Sequence, residues 1–329
     1  MISVPDPFDL PATPERLRRH AANGLLDPAA FKRALKLSGH VPPAARWAAA
    51  LNLLTLALGA GLVVAGILFF FAFNWAGMHR FVKLGLLEAA VAGAAGLAFW
   101  LGLERLEGKI ALLAASGLVG GLLAVFGQVY QTGADAYQLF LLWAGLISGW
   151  VLASRFTPLW MLWLGLLNLT IWLYAAQELR YLDGRAYAAL FALNAGGLIA
   201  WEAGRRAGMG WLGSRWAPRV LAALAVGALV AAIVGLINGA VDPWRIALVA
   251  VGGATAAALL YGYGQLQFDA WMLIVAAFGI CVCVNAWLLE SLDFEALGLF
   301  VTGGLVIGQT SWVVAWIRRR ALLWEGRTV

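Results

Sequence analysis

The densest group of polar side chains in this very apolar sequence lies between residues 127 and 138. Amide and carboxylate groups at membrane depth are costly, so by default they face the interior of a helix bundle and mark a pathway or a binding site. We therefore predict that this segment lines an outward-facing polar cavity, together with two polar residues expected at similar depth. The candidates are Asn74, Glu88, Gln128, Tyr130, Gln131, Asp135 and Gln138.

Two carboxylates of this group, Glu88 and Asp135, are candidates for proton coupling, because a low dielectric raises the pKa of a carboxyl group. The alternative is structural. In that interpretation the segment is a capped external turn, and Glu88 pairs with Arg80 or Lys83 near the membrane interface. The sequence leaves both interpretations open.

A second polar segment repeats the order of the first. Gly264–Trp271 contains Gly-Gln, then Gln, then Asp-Ala and an aromatic residue, as residues 127–137 do with a three-residue gap. The segments are five predicted spans apart, so they lie on opposite membrane faces, as an inverted-topology repeat requires. We add Gln265, Gln267 and Asp269 to the candidates, and we expect spans 1–5 and 6–10 to superpose after inversion.

Enzymatic chemistry is not indicated. The sequence contains no Ser/His/Asp set, no HExxH motif and no Walker motif. Cys281 and Cys283 lie two residues apart on one predicted helix, so they point to different faces and cannot share a metal. We therefore predict no catalytic residues, no metal site, no cofactor and no enzyme activity.

The elements that must position these residues are membrane-spanning helices. The chain has 329 residues, of which 63% are hydrophobic and 12% charged, with a mean hydropathy of +0.83. Soluble domains are about 45–50% apolar, and a transmembrane helix needs about 20 apolar residues. Ten segments qualify: 48–73, 82–103, 110–126, 137–153, 158–176, 186–203, 217–237, 244–262, 270–289 and 294–317.

These spans predict an all-α polytopic bundle with three parts. Residues 1–47 form a cytoplasmic N-terminal hairpin and linker, residues 48–317 the transmembrane bundle, and residues 318–329 a basic cytoplasmic tail. Close helix packing is expected at glycines four residues apart. These pairs are Gly117 with Gly121, Gly145 with Gly149, and Gly304 with Gly308.

Most of the 23 Lys and Arg residues fall on the side of the membrane that carries both termini. Loops rich in Lys and Arg remain cytoplasmic, which predicts an N-in, C-in orientation in a bacterial inner membrane. The net charge of +6 is explained by this topology, so no nucleic-acid partner is predicted. A basic inner face attracts the anionic lipids of the cytoplasmic leaflet.

Residues 13–38 predict a short helical hairpin before the first span. Thr13-Pro14 and Asp27-Pro28 are each an N-cap followed by a proline at the first helical position. Gly24 ends the first helix, and Ser38-Gly39 ends the second. The hairpin is interpreted either as a docking module for a cytoplasmic protein partner or as a cationic leader that fixes topology.

The polar motif and the hairpin together resemble a known family. Phe126–Asp135, Tyr137–Trp143 and the Asn23–Leu26 segment are similar to bacterial predicted membrane proteins, domain of unknown function 2157. The resemblance covers roughly residues 13–150. It implies a multi-pass membrane protein and no established activity.

Two functions are favoured by the sequence; a third, an intramembrane enzyme acting on lipid or envelope precursors, has no supporting motif but stays open because carboxylates from separate helices could converge. The first is a secondary transporter or permease of a small solute or lipid, indicated by ten spans, short loops and the polar cavity. The second is a non-catalytic sensor or scaffold that uses the N-terminal hairpin as its output. The sequence identifies neither a substrate nor a coupling ion.

Overall fold

The computed structural model describes residues 12–39, 77–179, 184–237, 243–291 and 296–325, with scattered positions between 47 and 75. The chain divides into two units, Met1–His79 and Arg80–Val329. The predicted first span and Asn74 lie almost entirely outside the described residues.

In the first unit the predicted hairpin is confirmed as two short helices, α1 (Pro14–Ala22) and α2 (Pro28–Leu37), that pack on each other. The Thr13 hydroxyl accepts a hydrogen bond from the Arg16 amide (3.4 Å), and the Asp27 carboxylate accepts one from the Ala30 amide (2.6 Å). These bonds satisfy amides that the first helical turn leaves free. Helix α1 ends at a glycine with φ +73°, which costs no Cβ clash.

The second unit is a bundle of long helices joined by short connections, and its described residues form no strand. In chain order the helices are α3 (Arg80–Leu101), α4 (Leu106–Tyr130), α5 (Ala136–Ser154), α6 (Thr157–Glu178), α7 (Gly184–Arg206), α8 (Trp216–Gly235), α9 (Pro243–Tyr261), α10 (Ala270–Ser291) and α11 (Ala296–Glu325). A 3-10 turn (Gly210–Leu212) precedes α8, and a π-helical turn (Gly262–Leu266) follows α9. Every predicted span from the second to the tenth coincides with one of these helices.

Seven helical segments are long and apolar enough to cross a membrane: α3, α4, α5, α6, α8, the Ile246–Leu266 segment of α9 with its π-turn, and α10. Helices α7 and α11 are also long but are not among the seven. Only a minority of each crossing segment is buried inside the protein. A helix that exposes this much apolar surface requires hydrocarbon around it, so the chain is a multi-pass helical membrane protein.

Consecutive helices pack against each other through the first half of this unit: α3 on α4, α4 on α5, and α5 on α6. Their shared core includes Leu112, Ile147 and Leu159, all completely buried. In the second half α8 is central, because it packs against α7, α9 and α10. Met272 and Leu273 of α10 form the centre of a second core there.

The predicted glycine contacts are wrong. A Cβ added at either glycine of the three i, i+4 pairs would meet no atom of the described residues within 4 Å. The close approaches occur at other glycines. A Cβ at Gly120 would lie 2.5 Å from the Trp143 ring, and one at Gly279 would lie 2.6 Å from Val226. Spacing alone does not show which side of a helix faces its neighbour. In the structure, Gly120 and Gly279 lie on the sides that do.

Candidate functional site

A network of buried charges lies where the α7–α8 and α9–α10 connections meet at one end of the bundle. Its carboxylates are Glu202, in the last turns of α7, and Asp269, directly before α10. The Glu202 side chain is 10% exposed and the Asp269 side chain 2%. A buried charge is tolerated only when it is paired, and both carboxylates are paired with arginines.

Arg215 joins the two carboxylates. Its Nη1 donates to Glu202 Oε1 (3.0 Å) and its Nη2 donates to Asp269 Oδ2 (2.9 Å). The side chain is only 24% exposed and lies with its guanidinium carbon 5.6 Å from the centre of the Tyr263 ring. One planar cation therefore holds together three segments that are far apart in the sequence.

Two further arginines complete the network from its more exposed side. Arg205 donates from Nη2 to Glu202 Oε2 (2.8 Å) and to Gln267 Oε1 (2.6 Å). Arg219 donates from Nε to Asp269 Oδ2 (3.2 Å), and its side chain is 42% exposed. Three arginines thus surround two carboxylates, which leaves one positive charge in excess.

Tyr263 satisfies the inner side of the network. Its hydroxyl donates to Glu202 Oε1 (2.9 Å), and the residue is buried. The π-helical turn brings it there, because the extra residue per turn redirects the chain at the end of α9. The Gln267 amide donates back to the Gly262 carbonyl (3.0 Å), and the Asp269 amide donates to the Tyr263 carbonyl (3.2 Å).

Asp269 also begins the next helix. Its Oδ1 accepts hydrogen bonds from the amides of Trp271 (3.1 Å) and Met272 (3.4 Å), as an N-cap residue does. Burial acts to raise the pKa of Asp269, but hydrogen bonds and charge from Arg215 and Arg219 outweigh it and hold that pKa below its usual range. Burial likewise acts to lower the pKa of Arg215, and the two carboxylates reverse this and raise it. Both groups are charged at neutral pH.

Three of the ten predicted site residues belong to this region. Asp269 and Gln267 are in the network, and Gln265 lies half-buried in the π-turn. The pairing of Glu202 with Arg205 follows the i, i+3 spacing and could be predicted from sequence. The contributions of Arg215 and Tyr263 could not, because no local spacing relates them to their partners.

The residues of the predicted outer cavity lie elsewhere. Helix α4 has 25 residues and continues to Tyr130, so the prediction of a third span with only about 17 residues was too short. Gln128 and Tyr130 lie in its last turn, and Gln131, with φ 45°, ends the helix. Five candidates are exposed: Gln128, Tyr130, Gln131, Asp135 and Gln138.

Glu88 is exposed on α3, and within the described part of the chain it is in no ion pair. Near the outer segment, Gln138 Nε2 donates to the Tyr137 hydroxyl (3.3 Å), and the Tyr137 amide donates to Gln177 Oε1 (3.3 Å). The shared cavity therefore stays a prediction. Within the described residues, no group of three His, Cys, Asp or Glu side chains could hold a metal.

Polar side chains also join helices inside the bundle. Asn168 on α6 and Asn194 on α7 exchange amide hydrogen bonds (3.1 and 2.6 Å), and Asn194 is 1% exposed. Asn285 on α10 donates to Gln309 on α11 (2.7 Å). Such bonds fix neighbouring helices in register and contribute about 0.6–2 kcal/mol each.

The fold and the charged end define a polytopic helical membrane protein with an arginine-centred network at one face. Comparison with known families agrees with this class. Residues 18–160 match the family described as "Predicted membrane protein (DUF2157)", which confirms the resemblance noted in the sequence. The chain matches no curated protein and no solved structure.

Proposed function

We propose that this protein is a secondary transporter or permease of a small solute or a lipid, and that the charged network is its gate at the cytoplasmic face. The observation that carries the proposal is the Arg215 bridge between Glu202 and Asp269. It closes the bundle end by joining segments that belong to different helix pairs.

A buried ion pair suits a gate better than it suits a permanent core. Replacing such a pair with apolar residues is often neutral or stabilising, whereas breaking it by removing one partner is costly. A buried ion pair is therefore a weak source of stability compared with an apolar contact. It does provide two discrete states, one with the ion pair formed and one with it broken. Discrete contacts between packed elements are the basis of conformational switching. Polar residues at membrane depth elsewhere, such as the Asn168–Asn194 pair, fit a bundle that carries polar cargo.

The sidedness of the gate depends on topology. We propose ten spans, with both termini in the cytoplasm of a bacterial inner membrane, because the basic residues then lie inside. The network, with its excess positive charge, falls on that side. Reporter fusions at residue 134 and at residue 329 test this. We expect the first reporter on the outer side of the membrane and the second in the cytoplasm. The same location for both would reject the topology.

An inverted repeat of spans 1–5 and 6–10 is supported by the two matching polar segments. Asp135 and Asp269 both directly precede a helix that begins Ala-aromatic. The packing of the halves differs, however. Helix α8 packs on α10, whereas α3 and α5, the helices in the corresponding positions, do not pack closely. Superposition of the halves in an experimental structure is the test.

The transport proposal is tested in proteoliposomes containing the full chain. Radiolabelled amino acids, sugars and organic acids report solute flux, and fluorescent phosphatidylcholine and phosphatidylglycerol with dithionite report lipid movement. We expect at least one probe to move faster than in empty liposomes. The Arg215→Gln variant should change that rate, and the exposed Arg105→Gln variant, which lies in neither the network nor the groove described below, should not. If every probe moves as in empty liposomes, the transport proposal fails.

The gate itself can be tested without a substrate. Gly264 is buried beside the network, and among the described residues a Cβ there meets only Leu273, at 3.6 Å, so Gly264→Cys fits. In a background with Cys281 and Cys283 replaced by Ala, a water-soluble maleimide should label this cysteine slowly, and faster when Arg215→Gln is added. Met209→Cys, at a 50% exposed position, is the labelling control. Equal rates in both backgrounds would reject the gate.

A sensor or scaffold role is the second candidate, and the N-terminal hairpin favours it. Leu25 and Leu37 are 69% and 81% exposed there. Exposed apolar side chains on a small amphipathic unit are typical of a surface that binds a partner. Deleting residues 1–39 tests this candidate. It predicts unchanged flux and thermal stability together with loss of a protein that co-purifies with the full chain, and unchanged co-purification would reject it.

A further inference from the structure

We propose that a groove along α6 and α7 binds an acyl chain of an anionic phospholipid, with the headgroup held by arginines at the groove's end. The groove has a volume of about 640 Å³, within the range of ligand-sized sites. This inference is independent of the transport proposal, because none of the network's own charged side chains lines the groove.

The lining explains why the occupant must be apolar. Its side chains are Trp, Leu, Ala and Met with several glycines, and no charged or amide side chain contributes. An apolar cavity does not hold ordered water, and this one is lined in part by α6, a helix apolar enough to cross a membrane. Gly196 and Ala200 form the exposed floor, and Trp163 and Trp201 form part of the walls.

The groove is long enough to cross one leaflet. Its lining runs from Leu193 in α7 to Ala207, directly after that helix, about 21 Å at a rise of about 1.5 Å per residue. One leaflet contributes roughly 15 Å of a hydrocarbon core about 30 Å thick. A single chain can therefore enter from mid-membrane and reach the interface, where the stacked rings of Trp160 and Trp211 (5.8 Å between centroids) close the groove. Tryptophan is typical of that depth.

Charge selects the headgroup. Arg206 directly precedes the lining residue Ala207, and it is exposed. Arg155, also exposed, lies two residues before Thr157, whose hydroxyl donates to the Trp211 carbonyl (3.2 Å). Within the described residues neither arginine is in an ion pair. Two cations beside the interfacial end complement a phosphate with net negative charge.

Native mass spectrometry of the purified full chain in detergent tests the proposal with two probes, dioleoyl phosphatidylglycerol and dioleoyl phosphatidylcholine. We expect the wild-type chain to retain phosphatidylglycerol more strongly. Gly196→Leu should weaken binding of both lipids about tenfold, because it displaces about two buried methylene groups of the chain. Among the described residues nothing lies within 4 Å of a Cβ at Gly196, so the variant fits the fold.

Three further variants separate the contributions. Arg206→Gln and Arg155→Gln should each lower binding of phosphatidylglycerol about fivefold and leave phosphatidylcholine unchanged. Ala200→Leu fills the groove at a second position and guards against misfolding of Gly196→Leu. Gly149→Leu on α5 is the matched control, because it is exposed and equally open.

The proposal is overturned if the two lipids bind the wild-type chain equally. It is also overturned if the groove-filling variants bind like the Gly149→Leu control, or if the spectra show a dimer of the chain in place of lipid adducts. Preferential binding that the groove-filling variants reduce and the control retains supports it.

Discussion

Replacing Arg215 with glutamine should destabilise the protein more than replacing Arg219, the other arginine that contacts Asp269. The variant leaves Glu202 with Arg205 and Asp269 with Arg219, but it removes the ion pairs through which one side chain joins Glu202 of α7 to Asp269 at the start of α10. Leaving buried charges without a partner costs about 3–5 kcal/mol. Because each carboxylate keeps one arginine here, we expect about 2–3 kcal/mol, scaled from the same range.

The matched controls are the neighbouring arginines. The Arg219 side chain is 42% exposed and makes one contact with Asp269, so Arg219→Gln should cost less than about 1 kcal/mol. Arg206 is exposed and in no described ion pair, so Arg206→Gln should have no measurable effect. The expected order of destabilisation is Arg215, then Arg219, then Arg206.

The assay is thermal unfolding of the full chain in one detergent at one scan rate, followed by tryptophan fluorescence. A loss of 2–3 kcal/mol corresponds to a fall of Tm by several degrees, at about 2–4 °C per kcal/mol. A double-mutant cycle of Arg215→Gln with Asp269→Asn measures the coupling directly. The reasoning is refuted if Arg215→Gln melts with the Arg206→Gln control, or if the cycle shows no coupling.

Three other predictions use the same melting assay. Trp143→Phe should lower the free energy of unfolding by about 1 kcal/mol more than Trp160→Phe does. The reason is that Trp143 Nε1 donates a 2.7 Å hydrogen bond, whereas Trp160 Nε1 is buried without a partner among the described residues. Equal losses would contradict this. Gly120→Ala should lower the free energy of unfolding by about 1–3 kcal/mol through its clash with Trp143. Gly117→Ala, which meets no described atom, should be neutral or stabilising. The reverse order would show that the helix faces are misassigned. The pKa of Asp269 is lower in the folded protein than in the unfolded chain. The contribution of its charge to stability is therefore complete above the unfolded pKa of about 3.9 and is lost as pH falls through the folded value. The Tm difference between wild type and Asp269→Asn should stay constant from pH 7 to pH 5 and shrink only in stronger acid.

Helix positions could be predicted from the sequence because a membrane span is encoded locally. About 20 consecutive apolar residues suffice for a helix to cross hydrocarbon, and the signal needs no knowledge of neighbours. Helix ends were predicted well where a cap residue marks them, as at Thr13 and Asp27. They were predicted poorly where polar residues continue the helix, as at Gln128 and Tyr130 on α4. Backbone hydrogen bonding continues there although the hydropathy has already fallen.

The network was only partly predictable, for a physical reason. Glu202 and Arg205 are neighbours on one helix face, so their spacing reveals the pair. Arg215 reaches Asp269 across 54 residues, and that contact depends on how α8 packs between α7 and α10. Glycine contacts failed for the same reason: Gly120 and Gly117 are chemically alike, and only the position of Trp143 separates them.

The two matching polar segments show how a tertiary partner decides the fate of one local motif. Asp135 and Asp269 occupy the same place, directly before a helix that begins with Ala and an aromatic residue. Asp269 is nevertheless 2% exposed on its side chain, and Asp135 is exposed. A carboxylate enters a low-dielectric site only where cations compensate for its lost hydration, and Arg215 and Arg219 supply that compensation from the α8 side. Around Asp135 no described residue supplies a cation, so the same motif remains a turn at the surface. The motif therefore belongs to a buried charged network only at its second occurrence, because the arginines that pair with Asp269 lie outside the motif.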